Sequence, residues 1–247
     1  MAMIVIHIDT QKDTSLLAKC YEGIEDATIL VNPSREEVDK ILTENPNERV
    51  MMMGHGSDLA LFGSYDPTKG RWVDIIDRRN AELLKDRECI GIWCYAKGYA
   101  RAHGLKGYFT DMFVSNGREA KDLGFKATEK KVFDEVVIYA ERINRLLKEN
   151  VPLEEWVERL CKEAEPAYET KPFVEFNYTG MEYFDGNEDV NPLIVDYSYF
   201  NDFDDEVIDD LFDYFCKENC IEGEWARGLA WPIFKGGWDA KKNLIVN

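Results

Sequence analysis

Basic charge is scarce in this chain of 247 residues. Thirty lysines and arginines stand against 48 aspartates and glutamates, for a net charge of −18. A protein that grips a nucleic-acid backbone needs a basic footprint, and nucleic acid is not an expected partner. Long apolar runs are also missing. No stretch approaches the ~18 residues of a membrane span, and Met1 to Asp9 lacks the basic n-region of a signal peptide. The six cysteines, Cys20, Cys89, Cys94, Cys161, Cys216 and Cys220, show no repeated spacing. A reduced, cytoplasmic protein is the expectation. Cys216 and Cys220 lie four apart, but no CxxC or HxxxH accompanies them, and neither metal nor cofactor is expected. Absence of GxxxxGK[ST], GxGxxG and GxSxG removes the usual nucleotide-binding and serine-hydrolase readings.

What is present is ordinary in amount and uneven in placement. Apolar residues make up 45% of the chain, enough for a sizeable core. Residues 1–150 carry 25 acids and 22 bases, whereas 151–247 carry 23 and 8. Two parts with different tasks are expected: an α/β domain over 1–150 and an acidic, helical and aromatic-rich part over 151–247.

The first part alternates strand and helix patterns, which predicts a mainly parallel sheet covered on both faces, a three-layer sandwich. Strands are expected at Met3–Ile8, Ala27–Val31, Arg49–Met53, Cys89–Trp93 and Gly107–Val114. The first is followed by a helix near Thr14–Tyr21. Ser34-Arg35-Glu36-Glu37 reads as a capping box, and Leu59–Trp72 as a hairpin or loop excursion. Further helices are expected at Asp77–Asp86, Ala96–His103, from Ser115, and at Thr128–Lys148. A helix from Pro152 places Leu153, Trp156, Val157, Leu160, Cys161 and Ala164 on one face, which makes Cys161 a core residue. Phe173–Tyr178 reads as a strand, and about 202–217 as a last helix with an acidic outer stripe. Asp185-Gly186-Asn187-Glu188-Asp189 imitates a calcium loop, but Val190 replaces the needed glycine and a polar turn is the better reading.

Two blocks stand out by position. Val50-Met51-Met52-Met53 runs directly into Gly54-His55-Gly56, and Cys89-Ile90-Gly91-Ile92-Trp93 runs directly into Cys94. Functional groups in open α/β sheets gather at the carboxyl ends of strands. With the strand order 2-1-3-4, His55 and Cys94 emerge side by side. A thiol beside an imidazole is the minimal activated nucleophile. The backbone N–H groups of Gly56 and Cys94 are candidate oxyanion donors. His7 lies inside a strand, His103 near a helix end, and Cys89 starts its strand, so all three read as structural.

In these two motifs, and in their order around an intervening helix, residues 3–125 resemble the caspase-like cysteine peptidases: caspases, metacaspases, gingipains and legumains. The run Gly107-Tyr108-Phe109-Thr110-Asp111-Met112-Phe113-Val114-Ser115 is similar to segments of uncharacterised bacterial proteins of this type. The resemblance implies a caspase-like fold and a Cys94/His55 dyad that hydrolyses peptide bonds, with Gly56 and the Cys94 amide as oxyanion hole and a protein or peptide as substrate. Two features depart from the pattern. Trp93 precedes the nucleophile where a small residue is usual, and the Gln-Ala-Cys-x-Gly string of true caspases is absent.

In that group the end of the first strand helps line the S1 pocket. Asp9 there implies a preference for Lys or Arg substrates, or is simply a polar strand terminus. Asp111 is the second substrate-binding candidate. The competing reading is a catalytically idle domain of the same fold whose acidic part docks a basic partner.

Overall fold

The computed structural model describes residues 2–68, 71–164 and 170–186. The expected helix at about 202–217, the Cys216/Cys220 pair and most of the calcium-like loop lie outside the described residues. In chain order the elements are β1 (Met3–His7), α1 (Lys12–Leu16) running into a 3-10 turn, β2 (Ala27–Val31), α2 (Arg35–Glu44) and β3 (Arg49–Met53). A hairpin follows, β4 (Leu61–Asp66) and β5 (Arg71–Ile76), then β6 (Glu88–Ile92), α3 (Ala96–His103) and β7 (Lys106–Phe109). After these come α4 (Gly117–Asp122), α5 (Glu129–Lys148), α6 (Trp156–Glu163), α7 (Lys171–Thr179) and β8 (Glu182–Asp185).

The protein is α/β, with a mostly parallel six-stranded sheet in the order β2-β1-β3-β6-β7-β8. The five strands expected from sequence are its parallel members, and β8 adds an antiparallel edge on β7. Side chains of alternate residues feed two separate cores, as the two-residue strand period requires. Met3, Val5, Met51, Met53, Ile90 and Ile92 pack with α1, α5, α6 and α7. Ile4, Ile6, Val50, Met52 and Cys89 pack with α2, α3 and the hairpin. Both faces are therefore covered. This explains why β1 and β3 read as unbroken apolar blocks and not as alternating strands.

Local chemistry sets the helix ends. Ser34 accepts from the Glu37 N–H at 3.2 Å while Glu37 accepts from the Ser34 N–H at 2.7 Å, the expected capping box, worth about 1 kcal/mol. Thr128 caps α5 in the same sense, accepting from the Lys131 N–H.

Four expectations are corrected. Residues 77–86 form only a 3-10 turn, Ala81–Leu84. There the Asn80 amide takes the Asp77 N–H and donates to the Ile75 carbonyl, offering the backbone an alternative to helix. β7 ends at Phe109, well before Val114, because the Asn177 side chain pairs with both the N–H and the carbonyl of Val114. Phe173–Tyr178 is helical within α7. Its aromatic content suggested a strand, but Phe173, Val174, Asn177 and Tyr178 are buried at helical spacing. Cys161 is exposed, because it falls outside the inward stripe of Trp156 and Leu160, with Val157 packed beside them.

Candidate active site

β1, β3 and β6 lie side by side, with Met53 opposite His7 on one flank and Ile92 on the other. Beyond that register the Gly54 N–H donates to the Ile92 carbonyl at 3.2 Å. Gly54 has φ +149°, and a Cβ there would lie 2.8 Å from Cβ of Ile8. Only glycine lets the chain leave β3 this close to β1. His55 and Cys94 therefore each stand two residues past a paired position on neighbouring strands. The His55 carbonyl is fixed in turn by the Phe62 N–H at 2.8 Å, which ties the loop to the hairpin.

Cys94 ends a sharp strand-to-helix turn. Tyr95 follows it in the left-handed region, φ 66° and ψ 22°, immediately before α3. A non-glycine residue there stores strain of order 1 kcal/mol. Strained strand-to-helix turns of this kind present the nucleophile in α/β-hydrolases.

His55 and Cys94 line one cavity of about 10 Å³, together with Asp13, Leu17, Phe113 and Ser115. That volume holds about one water molecule. Among the described residues the thiol makes no hydrogen bond to the imidazole. It points to the Phe113 carbonyl at 3.6 Å. Burial pushes the Cys94 thiol up to about 12, and the carboxylates of Glu119, Asp13 and Asp111 add to the rise. It is a neutral thiol at physiological pH.

The imidazole instead faces an acid. His55 Nε2 lies 3.5 Å from Asp13 Oδ1, a charge contact too long for a hydrogen bond, and Nε2 is buried with no hydrogen-bond partner. Burial pulls the His55 pKa down, but the Asp13 carboxylate and, more weakly, Glu119 outweigh it and hold it above its ordinary value. Burial likewise opposes charge on Asp13. Its contacts with His55, Asn116 and Ser115 prevail and hold it well below the usual carboxylate range. Ser115 Oγ donates to Asp13 Oδ2 at 2.7 Å and Asn116 Nδ2 at 2.9 Å, while Glu119 Oε2 accepts the Ser115 N–H at 2.8 Å. Asp13, His55 and Glu119 each offer a ligand atom within 4.8 Å of the others.

The remaining sequence candidates fall elsewhere. Gly56 backs onto Trp93 and does not line the cavity; a Cβ there would meet Cδ1 of the indole at 2.2 Å. Asp9 braces the start of α1. Its Oδ1 accepts the Ser15 hydroxyl and its backbone pairs with Asn32. Asp111 forms an ion pair with Lys97 at 2.6 Å. His7 is buried against Tyr21 and the Thr14 carbonyl, and His103 stacks on Tyr99.

The residues missed from sequence are acidic or amide-bearing. Asp13 and Glu119 lie in the first turns of short helices, where acids commonly serve the helix itself. Only the Asn116-x-x-Glu119 spacing hinted at a local bond, and nothing in it pointed to residue 13. Asp58, three residues past His55, was also passed over. Its Oδ1 is buried without a hydrogen-bond partner, and burial raises its pKa. No protein-family model matches the chain, and no curated protein matches it either.

Proposed function

We propose that the protein is a cysteine endopeptidase of caspase-like type, cleaving peptide bonds after a basic residue. The observation that carries this reading is that Cys94 and His55 share one cavity at the carboxyl ends of adjacent parallel strands. In the reaction Cys94 Sγ bonds to the scissile carbonyl carbon while its proton passes to His55. The Cys94 backbone N–H is the oxyanion donor of this reading, and the Gly56 N–H, which lies outside the closed cavity, joins it only once the site opens. Collapse breaks the C–N bond, His55 returns the proton to the leaving amine, and water then hydrolyses the thioester. Asp13 holds the protonated imidazole as the third member of the arrangement.

The geometry sets a condition on this chemistry. A cavity of about 10 Å³ holds no side chain, and the thiol must swing from Phe113 to His55. Substrate binding therefore has to open the site. A basic substrate suits it because the surrounding charge is negative: Asp13, Glu119 and Asp111 all act on Cys94. Asp9 and Asp111 already have partners. Asp58, whose buried oxygen has none, is the better acceptor for a substrate cation.

A second reading, an idle domain that binds a basic partner, is favoured by one observation, the Cys94 thiol hydrogen-bonded to the Phe113 carbonyl and not to His55. A peptidyl-arginine acyloxymethyl ketone separates the two at pH 7. Peptidase chemistry predicts labelling of Cys94 that is absent in Cys94→Ala and reduced at least about tenfold in His55→Ala. Labelling no faster than that of the exposed Cys161, and unchanged by His55→Ala, retires the peptidase reading in favour of the second.

A further inference from the structure

We infer that Asp13, His55 and Glu119 bind one divalent transition-metal ion of the zinc type. Three kinds of observation converge on that site, and none depends on the hydrolytic reading.

The first is geometric. His55 Nε2 and Asp13 Oδ1 stand 3.5 Å apart, and Nε2 is shut away from solvent with no hydrogen bond. The gap is too long for a hydrogen bond. It fits two neighbouring ligands of a tetrahedral ion, each about 2.0–2.2 Å from the metal and therefore roughly 3.3–3.6 Å from one another. The Glu119 carboxylate completes a group in which all three ligand atoms lie within 4.8 Å, close enough for a small rotamer change to bring them onto one ion.

The second is the support around the ligands. Metal-binding carboxylates are commonly oriented by hydrogen bonds to the oxygen that does not ligate. Asp13 Oδ2 is taken by Ser115 Oγ and Asn116 Nδ2, and Glu119 Oε2 by the Ser115 N–H. Asp13 Oδ1, which also accepts the Thr14 N–H at 3.0 Å, faces His55, and Glu119 Oε1 is left for a ligand. Ser115 alone touches both carboxylates.

The third is charge. Among the described residues no lysine or arginine forms an ion pair with Asp13 or Glu119. Two carboxylates beside one imidazole leave negative charge that a dication would balance. An imidazole nitrogen in the donor set favours zinc-type ions over calcium or magnesium, which take oxygen ligands. The cavity of about 10 Å³ that Asp13 and His55 line has room for one water, and that water takes the fourth position.

The test is competition for zinc against a chromophoric chelator, using the full chain after chelator treatment. One ion per chain is expected. Glu119→Gln and Asp13→Asn should each weaken binding by at least about a hundredfold, and Ser115→Ala, which keeps all three ligands, by about 10–100-fold. Circular dichroism of each variant establishes that it is folded. Ser115→Ala keeps the inference testable if Asp13→Asn unfolds. Cys94→Ser should retain binding, although it ends any peptidase activity, so the two readings fail separately. A metal-bound His55 cannot also accept the Cys94 proton, and the metal-loaded chain is the inactive form of any peptidase. Absence of stoichiometric binding overturns the site. So does binding that survives Glu119→Gln and Ser115→Ala, or that disappears in Cys94→Ser and reports only a thiol.

Discussion

Two buried aspartates in this molecule have opposite surroundings. Asp77 follows β5 and is clamped by two guanidinium groups. Arg35 from α2 bonds both its oxygens at 3.0 and 2.7 Å, and Arg79 adds a second fork. Asp13 sits at the start of α1 and, among the described residues, receives only neutral donors, Ser115, Asn116 and the Thr14 N–H, with His55 at 3.5 Å. Burial opposes the charge on both, and the partners hold both carboxyls below their ordinary range. An acid saturated by arginine has finished its chemistry and braces the fold. An acid answered by a histidine and neutral dipoles still has charge to offer. That contrast separates a brace from a candidate site, although both residues are buried.

The largest expected effect divides these two regions. On the proposed peptidase reading, Cys94→Ala should lower peptide hydrolysis by more than about a thousandfold while leaving the melting temperature nearly unchanged. Asp77→Asn should do the reverse. Removing one partner of a buried ion pair strands the other charge, and Arg35 is mostly buried while Arg79 is 60% exposed. A loss of about 2–3 kcal/mol follows, discounted for the exposed arm, with kcat/KM per folded molecule retained. Urea unfolding beside a peptidase assay reads both. If Asp77→Asn impairs hydrolysis as severely as Cys94→Ala, the division between brace and site is wrong.

A smaller effect falls on the wall between the regions. A Cβ at Gly56 would lie 2.2 Å from the Trp93 indole and 2.6 Å from the Ala60 carbonyl. Gly56→Ala should therefore cost about 1–3 kcal/mol through overpacking. It should also loosen the bond from the Trp93 indole to the Ser57 carbonyl, now 2.9 Å, next to Cys94. Loss of stability without any change in Cys94 labelling would show that the wall does not govern the site.

The smallest effect is a pH slope. Burial lowers the His7 pKa below its ordinary 6.5. Below that value the unfolded chain takes up a proton that folded His7 refuses. Its contribution is therefore constant above about pH 6.5 and declines as pH falls towards the folded pKa, about 1.4 kcal/mol per unit of difference. His7→Gln should flatten stability between pH 7 and 5. Asp77 acts in a separate window: its stabilisation is full above its unfolded value near 3.8 and fades as pH drops through its folded one. A His7→Gln curve parallel to that of the unsubstituted protein would mean that His7 does not titrate differently on folding.

Much of the architecture was legible in the chain itself. β2 and β3 coincide with their expected bounds, the Ser34 capping box forms as written, and His55 and Cys94 emerge on neighbouring strands. Blocks such as Val50–Met53 announce strands because a sheet covered on both faces needs apolar side chains at every position. Local rules failed where aromatic content imitated a strand at Phe173–Tyr178. They failed again where Asn80 bonding displaced the expected helix.

By itself, then, the sequence determined the alternation of elements, the parallel sheet and the strand ends that bear His55 and Cys94, because apolar periodicity and turn residues act over a few positions. Only the tertiary structure decided what surrounds those two residues. Asp13, Ser115 and Glu119 meet across more than 100 positions of chain, and the same packing pushes the Cys94 thiol up to about 12 and bonds it to the Phe113 carbonyl. Burial and through-space charge are properties of neighbours in space. No spacing rule along the chain encodes which carboxylate will face which imidazole.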